Sequence, residues 1–492
     1  MNQLPPLPGR TTGRISADRL AGALGQWHRG GPRSGGHDLA DALAARIRDG
    51  RLPPGTRLPS ERELAAALGV SRTMIGAALE RLREAGLVAS RQGSGSWTAA
   101  PPGGTGPGAA EGGGPIDLTR ASPAAVPGML PAFEAAQRSL KAALGDETYD
   151  DLGILPLRER LAARYTARGL PTSPAEIMIT NGAHHGFALV LRLLAGPGDR
   201  VLVEQPGYPH AFDAVTAARG HLVPVPVDPF AAPGWDIAGM AATLRQTSPR
   251  LAYLMADFHN PTGLLMGAAD RERLGAVLAD TRTYAVVDES AADLALGSPE
   301  GAAGPPAPPP LAAFAPRWTI TVGSPAKTHW GGLRLGWIRA GAELIGRLGD
   351  VRASLDLGSP LFEQFWLAGL LADPEPCPAA RRRELRERRD ALVAAVRAEC
   401  PDWSFRVPEG GVNLWCRLPD PVSTRLAAAA RHHGVLLTPG SRFGVQDRLE
   451  EWLRLPFVQP PDRLREAVRR IASARAALTG PAVATLGGDV HS

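Results

Sequence analysis

A lysine in the second half of the chain has neighbours that suit a particular chemistry. Lys327 follows Ser324 by three residues and precedes Arg334 by seven, in the run SPAKTHWGGLRLG. A primary amine forms a Schiff base with an aldehyde, while a hydroxyl and a guanidinium can hold a phosphate group. Pyridoxal phosphate carries both an aldehyde and a phosphate. The spacing therefore predicts a pyridoxal phosphate site in which Lys327 forms the Schiff base.

Length and composition limit the kind of protein that can carry this lysine. The 492 residues are too many for one ordinary domain, and a hydrophobic fraction of 44% with a charged fraction of 21% is typical of globular proteins. No apolar run reaches the roughly 18–20 residues of a membrane helix. The N-terminus, MNQLPPLPGR, lacks the apolar stretch of a signal peptide. Cys377, Cys400 and Cys416 have no metal-like spacing, so we expect a reduced cytoplasmic protein with no metal site and no membrane partner.

Positive charge is concentrated at the N-terminal end of the chain. The formal net charge is +5, yet residues 1–98 contain 14 Arg, no Lys and 8 Asp plus Glu, which gives this part a charge of +6. Regions that bind nucleic acids carry such an excess, because they neutralise phosphates. The distribution therefore predicts a nucleic-acid contact at the N-terminal end.

Stretches rich in Gly and Pro mark the domain boundaries. Residues 99–115, AAPPGGTGPGAAEGGGP, cannot bury apolar surface and are predicted to be a linker. Residues 301–311, GAAGPPAPPPL, lie between two strand-like runs and are predicted to be a surface loop. The expected organisation is an N-terminal arm at 1–36, a DNA-binding domain at 37–98, the linker, a large domain at 116–480 and a tail at 481–492.

The part before the linker predicts helix, helix, short turn, helix and hairpin. Residues 39–50 and 71–86 repeat apolar residues at helical spacing, and residues 60–68 open with the S-x-x-E pattern of a capping box. Residues 87–98 alternate around a Gly-Ser-Gly turn, as a β-hairpin does. This order is that of a winged helix-turn-helix. Residues 46–97 resemble the GntR-type DNA-binding domain over its whole length.

The helix at 71–86 is expected to enter the major groove with its N-terminus. Ser71, Arg72 and Thr73 lie there, and a guanidinium can bind guanine with about 1–3 kcal/mol of discrimination. GntR-type domains often have another basic residue one turn later, where this chain has Gly76. We therefore expect fewer direct contacts to base edges, or contacts that shift toward Arg57 and the hairpin. The residues expected at phosphates or in the minor groove are Arg62, Arg91 and Gln92.

The segment before this domain allows two interpretations. Residues 12–36 carry four arginines around ISADRLAGALGQW, which has helical character. The segment is either an arm that follows DNA or a helix that packs on another subunit. The sequence leaves both open.

After the linker, strand-like runs alternate with amphipathic stretches. The runs are EIMIT, DRVLVEQ, RLAYLM, TYAVVD and RWTITV, each next to polar or Gly-rich residues. This pattern predicts a parallel α/β sheet whose carboxyl ends build a site. Residues 116–478 resemble fold-type I aminotransferases in the form found in MocR-type regulators, which join a GntR-type domain to an aminotransferase-like domain. The resemblance implies the pyridoxal phosphate-dependent transferase fold, a mostly parallel sheet with a small C-terminal α+β subdomain, and a homodimer.

The same resemblance implies a role for each residue of the cofactor site. Asp288 would pair with the ring nitrogen, Asn260 in NPTG would donate to the ring oxygen O3′, and Tyr208 would cover the ring. Arg454 in WLRLPF would bind the carboxylate of a substrate or effector. The residues expected at the phosphate are Gly182, Ala183 and His184 at a helix N-terminus, Ser324, Arg334, and Tyr149 from the other subunit.

One position departs from the aminotransferase pattern. Three residues after the ring-nitrogen aspartate these enzymes have a tyrosine that donates to O3′, whereas this chain has Ala291. The missing hydroxyl predicts cofactor binding with slow turnover. We therefore expect a transcriptional regulator that senses pyridoxal phosphate, or a small amino-compound effector, through an aldimine at Lys327 and so controls operator binding. An active aminotransferase with an accessory DNA-binding module is the alternative, and a cofactor domain that serves only as a dimerisation scaffold is a third.

Overall fold

The computed structural model describes residues 13–25, 27–28, 35–48, 52, 55–91, 95–99, 114–145, 150–231, 233–297, 307–372, 377–445 and 448–479. These residues form two compact units. The first takes in Met1–Ile116, Val422–Thr438 and Ser473–Ser492, and the second takes in Asp117–Pro421 and Pro439–Ala472. Most of the predicted linker and Pro-rich loop, and the tail at 481–492, lie outside the described residues, so these assignments stay predictions.

The N-terminal elements follow the predicted order of a winged helix-turn-helix. They are β1 (Gly13–Arg14), α1 (Ala17–Leu24), α2 (Gly35–Arg48), β2 (Thr56–Arg57), α3 (Glu61–Leu68), α4 (Arg72–Glu84), β3 (Val88–Arg91) and β4 (Gly95–Thr98). The predicted capping box is present at the start of α3, because the Ser60 hydroxyl accepts from the Glu63 amide and the Glu63 carboxylate accepts from the Ser60 amide. Gly69 ends α3 at a φ of 66°, a left-handed conformation that glycine adopts without strain.

The apolar faces predicted for α2 and α4 form the core of this domain. Each fully buried Leu or Ile contributes about 1.5–3 kcal/mol relative to an exposed one. Burial of this face holds α4 in place and leaves its N-terminal turn exposed. The buried side chains are Leu39, Leu43 and Ile47 from α2 with Ile75, Ala78, Leu79 and Leu82 from α4.

The segment before α2 is built into the same domain in its described part. Leu20 and Leu24 of α1 are buried in the core that α2 and α4 form. Strand β1 pairs in parallel with β2, with Gly13 opposite Thr56, and the sheet order is β1-β2-β4-β3. Residues 13–25 therefore add a helix and an edge strand to the DNA-binding domain. Whether the segment at 12–36 also follows DNA or packs on another subunit stays open.

The five strand-like runs predicted from the sequence correspond to β6, β7, β9, β10 and β11, and further strands and helices accompany them. The strands are β5 (Ile116–Asp117), β6 (Ile177–Thr180), β7 (Arg200–Gln205), β8 (His221–Pro226), β9 (Leu251–Leu254), β10 (Tyr284–Asp288), β11 (Thr319–Gly323), β12 (Gly336–Arg339), β13 (Ser404–Phe405), β14 (Asn413–Arg417), β15 (Val435–Leu436) and β16 (Trp452–Pro456). The helices are α5 (Leu130–Ala143), α6 (Leu155–Ala167), α7 (Ala183–Leu194), α8 (Pro209–Ala217), α9 (Ile237–Thr247), α10 (Ala268–Thr281), α11 (Ala342–Ala353), α12 (Leu361–Leu370), α13 (Ala379–Glu399), α14 (Ser423–His432) and α15 (Pro461–Thr479).

A seven-stranded sheet in the order β6-β12-β11-β10-β9-β7-β8 organises the second unit. Strands β8, β7, β9, β10 and β11 are parallel, whereas β12 runs antiparallel to both of its neighbours. Successive side chains point to opposite faces, so Val286 packs with Phe187 of α7 and Val287 packs with Leu274 of α10. Helices on both faces explain why these strands are continuous apolar runs rather than alternating ones. The mostly parallel sheet is confirmed.

The carboxyl ends of the parallel strands and a second, smaller sheet carry the predicted site residues. Asp288 ends β10, and Ser324 and Asn260 lie in the segments that follow β11 and β9. The smaller sheet, β13-β14-β16, is antiparallel and places Arg454 directly opposite Trp415. None of the described helices has the length and apolar character that crossing a bilayer requires.

Candidate functional site

Lys327 lies in a π-helical turn, Ala326–Trp330, directly after the buried strand β11. Burial of the amine lowers the pKa of Lys327, the nearby Asp288 carboxylate partly opposes this shift, and the Arg454 guanidinium adds to it. The amine is thus neutral at a lower pH than in a free lysine. A neutral amine is the form that attacks a carbonyl carbon, so the site favours the chemistry expected of Lys327.

Asp288 is held by two donors at the end of β10. Its Oδ2 accepts from the Tyr253 hydroxyl at 2.7 Å, and its Oδ1 accepts from the Ser290 amide at 2.8 Å. Burial, followed by the charge of Asp288, raises the pKa of Tyr253 well above its ordinary value, so the phenol stays protonated and remains a donor. The hydroxyl of Tyr253, a residue that the sequence did not point to, therefore fixes the direction of the predicted ring-nitrogen carboxylate.

Asn260 lies in a tight turn after β9, and its side-chain oxygen has two donors. Asn413 Nδ2 donates to Asn260 Oδ1 at 3.1 Å, and Arg454 Nη1 donates to the same oxygen at 3.5 Å. The turn requires glycine at position 263, where φ is +75° and a Cβ would lie 2.6 Å from the Pro408 side chain. Asn413 is a second residue that sequence reasoning missed, because it lies on β14, far along the chain.

Arg454 is 6% exposed and only partly satisfied. Its Nη2 donates to the Thr119 carbonyl at 2.5 Å, and its guanidinium lies 4.8 Å from the centre of the Phe443 ring. Burial lowers the pKa of Arg454 to about 10, while Tyr208 and Asp117 partly oppose this shift. Nε is buried and has no hydrogen-bond partner among the described residues. A buried cation that is short of acceptors suits a carboxylate, which can accept from it in a charge-assisted pair.

The N-terminus of α7 forms the end of the site where the phosphate is expected. Gly182 precedes the helix at a φ of +100°, and no side chain caps the helix. A Cβ on Gly182 would lie 3.6 Å from Arg334 Nη2, and one on Gly336 would lie 2.5 Å from the Ala183 amide nitrogen. Strand β12 thus approaches this turn closely only because residue 336 is glycine. An uncapped helix N-terminus beside a guanidinium is suited to an anion.

One predicted residue at this end, Ser324, makes its hydrogen bonds within its own loop. The Ser324 hydroxyl donates to the Leu335 carbonyl at 2.9 Å and accepts from the Ala326 amide at 3.2 Å, so both directions are used within its own loop. Its role at a phosphate stays a prediction. His185, the neighbour of His184, accepts at Nδ1 from the Asn181 amide at 3.0 Å, and its Nε2 lies 3.5 Å from Asp356 Oδ2.

Aromatic rings gather beside α7. The Tyr208 ring lies edge-on to the rings of His184 and His210, at centroid distances of 6.3 and 5.4 Å. Burial and the charge of Asp288 raise the pKa of Tyr208 to about 12, while Arg454 and Arg334 partly oppose this shift. Burial and the nearby His210 lower the pKa of His184. Asp288 and Arg454 thus act electrostatically on both Tyr208 and Lys327, which brings these four predicted residues near one another.

The candidate DNA-binding surface consists of the exposed start of α4 and the base of the hairpin. Arg72 and Thr73 are exposed there, and the Ser71 hydroxyl accepts from the Met74 amide at 3.3 Å as a helix cap. Arg57 extends along the hairpin, with its Nε 3.5 Å from the Cβ position of Gly95. Arg62 is also exposed. The side chain of Arg91 and the whole of Gln92 and Tyr149 lie outside the described residues, so their roles stay predictions.

Gly76 contributes no side chain to this surface. It lies one turn after Arg72, and a Cβ there would be 3.8 Å from the Glu61 carboxylate of α3. The described residues contain no group of three or more His, Cys, Asp or Glu side chains that could hold a metal ion.

Comparisons with known proteins match the two parts separately. The family model "Aminotransferase class I and II" matches residues 129–471, and the model "Bacterial regulatory proteins, gntR family" matches residues 36–97. The chain is 28% identical to the uncharacterized HTH-type transcriptional regulator YdcR of Escherichia coli, over 88% of this chain and 97% of YdcR. It is 26% identical to the probable rhizopine catabolism regulatory protein MocR of Rhizobium meliloti, over 89% and 93% of the two chains.

A solved structure matches the second unit's fold. LysN of Thermus thermophilus, an α-aminoadipate aminotransferase in complex with N-(5′-phosphopyridoxyl)-L-leucine, superposes with a TM-score of 0.65 at 28% identity. The match covers 74% of this chain and 92% of LysN. The MocR-type architecture expected from the sequence is confirmed by these matches.

Proposed function

The chain belongs to the aminotransferase class I and II family and carries a GntR-type winged helix-turn-helix, and we propose on this basis that it is a transcriptional regulator. Its aminotransferase-like domain binds pyridoxal phosphate and a small amino compound, and this binding controls the recognition of double-stranded operator DNA. The observation that carries the proposal is the presence, in one chain, of Lys327 with Asp288 and Arg454 near it and of an exposed Arg72 at the start of α4.

The side chains of the site match the parts of pyridoxal phosphate, which supplies an electrophilic aldehyde and an electron-accepting ring when bound. Lys327 supplies a neutral amine, Asp288 a fixed carboxylate for the ring nitrogen, and Tyr208 an aromatic surface. The uncapped N-terminus of α7 with Arg334 offers donors to the phosphate. The missing hydroxyl at Ala291 leaves binding intact and disfavours fast turnover.

The effector of this regulator is an amino compound with a carboxylate. Arg454 supports this assignment, because its buried Nε lacks an acceptor among the described residues. An effector changes DNA binding only by as much as it prefers one arrangement of the protein over another. A tenfold preference corresponds to about 1.4 kcal/mol, and complete switching requires roughly 10⁴-fold. The predicted linker at 99–115 would let the DNA-binding domains change their spacing as the aminotransferase-like domains change state.

A homodimer in the cytoplasm completes the proposal. The resemblance to MocR-type regulators supports it, since Tyr149 would reach the phosphate of the other subunit. Sedimentation equilibrium of the full chain would measure the dimer directly, and a monomer at all accessible concentrations would contradict it.

An absorption experiment tests the cofactor part. The chain contains only two lysines, Lys141 and Lys327, and Lys141 is exposed on α5. We expect a visible absorption band after addition of pyridoxal phosphate, and borohydride treatment followed by mass spectrometry should place the cofactor on Lys327. The band should vanish in Lys327→Ala and persist in the control Lys141→Ala. Labelling of both lysines to the same extent would count against a specific site.

A DNA-binding experiment tests the regulatory part. A duplex selected by the full chain from a random pool serves as the operator probe. We expect its affinity, footprint or bend to change when pyridoxal phosphate is added to the wild-type protein, and to remain unchanged in Lys327→Ala. If wild type shows the visible band but no difference in DNA binding, the aminotransferase-like domain is a dimerisation scaffold.

An active aminotransferase is the second candidate function. The observation that favours it is the retention of Lys327, Asp288 and Arg454, all three of which interact electrostatically within the site. This candidate predicts steady turnover of an amino acid with a keto acid at rates comparable to ordinary aminotransferases, typically about 1–10³ per second for enzymes. Turnover far below that range would leave the regulator as the function.

A further inference from the structure

The side chain of Asn260 has an orientation that its neighbours determine. A carboxamide presents an oxygen on one side and a donor nitrogen on the other, and rotation by half a turn exchanges them. Asn260 Oδ1 accepts from Asn413 Nδ2 at 3.1 Å and from Arg454 Nη1 at 3.5 Å. The oxygen therefore faces the smaller sheet, and Nδ2 faces the opposite direction.

Arg454 removes the ambiguity between the two rotated states. Two facing carboxamides could form one hydrogen bond in either sense, since each has a donor and an acceptor. A guanidinium has donors and no acceptor. It therefore stabilises the state in which the Asn260 oxygen faces it and destabilises the state in which the Asn260 nitrogen does. Because Arg454 lies beside Asn260 and carries its charge below a pKa of about 10, it favours the state with Oδ1 toward β14 and β16, and the shorter hydrogen bond from Asn413 holds that state.

Asn413 donates to Asn260 while its own side-chain oxygen is left without a hydrogen bond among the described residues. It is 4% exposed, and its own Oδ1 is buried and has no partner among the described residues. Leaving a buried acceptor without a donor costs about 1–3 kcal/mol. A purely structural residue in this position would avoid that cost with an apolar side chain. Asn260 Nδ2, in contrast, makes no hydrogen bond among the described residues and is left for a bound group.

We propose that Asn413 is a positioning residue that holds Asn260 so that Nδ2 donates to the ring oxygen of bound pyridoxal phosphate. The inference rests on the proposed function. It has a particular consequence in this chain, because Ala291 lacks the hydroxyl that would otherwise donate to the same ring oxygen. Among the residues assigned to the site, Asn260 is then the one side chain that donates there, and its orientation determines the proton affinity of the bound cofactor.

Loss of the donor from Asn260 should raise the pH midpoint of the visible absorption band. A donor to the ring oxygen stabilises its negative charge and so weakens the hold on the proton that the oxygen shares with the Lys327 nitrogen. When that donor is lost, the proton is held more tightly. The visible absorption band, which belongs to the protonated form, should then persist to higher pH. Loss of one hydrogen bond to a charged group corresponds to a shift of about one pH unit, which is tenfold in proton affinity.

Two substitutions separate a positioning role from a packing role. Asn413→Leu keeps the number and branching of the side-chain heavy atoms but cannot donate. Asn260 Oδ1 then keeps only the long contact with Arg454 Nη1 at 3.5 Å, so its side chain is held less firmly and the midpoint of the visible band should rise by up to about one pH unit. Asn413→His places Nδ1 the same number of bonds from Cβ as the amide nitrogen of asparagine. It should keep the midpoint near that of wild type. Thermal unfolding of both variants checks that each is folded.

A double-mutant cycle tests whether Asn413 acts through Asn260. Asn260→Ala should raise the midpoint, and adding Asn413→Leu to it should produce no further shift. Additive shifts would overturn the inference, as would an unmoved midpoint in Asn413→Leu with the band intact. A wild-type protein with no visible band would overturn the proposed function itself, and this inference with it, so the two failures are distinguishable. A cofactor-binding isotherm for each variant gives an independent readout.

Discussion

The hydroxyl of Tyr253 donates to Oδ2 of Asp288 at 2.7 Å and thereby joins two neighbouring parallel strands, β9 and β10, beside the candidate cofactor site. Tyr253 is buried, and its ring packs 4.6 Å from the ring of Phe187. The apolar body of the side chain belongs to the core between the sheet and α7, while its polar end belongs to the site. One residue thus couples the packing of the sheet to the direction of a functional carboxylate.

Replacement of Tyr253 by phenylalanine should destabilise the second unit. The ring and its packing remain, but one carboxylate oxygen of Asp288 loses its donor, which costs about 1–3 kcal/mol. The measurement is the urea midpoint of the full chain, followed by tryptophan fluorescence. Tyr284→Phe is the matched control, because Tyr284 lies on β10 and its hydroxyl makes no hydrogen bond among the described residues. Equal changes in both variants would contradict the role assigned to the Tyr253 hydroxyl.

The rate at which Lys327 reacts with an aldehyde should fall as the pH is lowered through the pKa of its amine. Burial lowers the pKa of this amine, so its neutral form persists to lower pH than that of a free lysine and is lost as the pH falls through the lowered pKa. We expect the rate at which added pyridoxal phosphate produces the visible band to stay high below the ordinary pKa of lysine and to fall on further acidification. Asp288 opposes the shift, so Asp288→Asn should move this fall to still lower pH. A rate profile with the ordinary lysine pKa would refute the prediction.

Restoring the missing hydroxyl at position 291 should lower the proton affinity of the bound cofactor and leave the fold unchanged. Ala291→Tyr places a phenol where aminotransferases have one, whereas Ala291→Phe adds the same bulk without the hydroxyl. Ala291 is buried, so both substitutions carry an overpacking cost of typically about 1–3 kcal/mol. We expect the midpoint of the visible band to lie lower in Ala291→Tyr than in Ala291→Phe by about one pH unit. Identical midpoints would show that the hydroxyl does not reach the ring oxygen.

A basic residue in place of Gly76 should strengthen DNA binding in a salt-dependent manner. Gly76→Arg adds a guanidinium one turn after Arg72, and its Cβ would make only an ordinary van der Waals contact with the Glu61 carboxylate, at 3.8 Å. The salt slope of DNA affinity should steepen by about 1. Gly76→Ala is the control, since it improves the helix by about 1 kcal/mol without adding charge. The comparison uses fluorescence anisotropy of a labelled duplex over a range of salt concentrations, and equal slopes in the two variants would contradict the expectation.

Truncation of Leu20 should loosen the DNA-binding domain. Leu20 is fully buried where α1 meets the core, and Leu→Ala substitutions at such positions cost about 2–5 kcal/mol. Amide hydrogen exchange in α2 and α4 of the full chain should become faster. The exposed Arg19→Ala, one residue away, is the control. Unchanged exchange in Leu20→Ala would show that residues 13–25 are not part of this domain's cooperative fold.

The sequence by itself determined the elements that depend on short-range pattern. The Ser60–Glu63 capping box, the apolar faces of α2 and α4, and the continuous apolar strands β9, β10 and β11 all follow from the spacing of neighbouring residues. These features are local, so the same residues that signal an element also form it. Lys327, Ser324 and Arg334 could be singled out for the same reason, because they lie within one short segment.

Only the tertiary structure decided which distant residues meet. Asn413 reaches Asn260 across 153 positions of the chain, and Tyr253 reaches Asp288 across 35. Both contacts depend on strand order and register, which result from burial of whole faces and leave no periodic signal at either residue. The place of α1 on the DNA-binding core is likewise a long-range packing outcome. The sequence therefore identified the groups that can do chemistry, whereas the pairing of strands decided which side chains orient them.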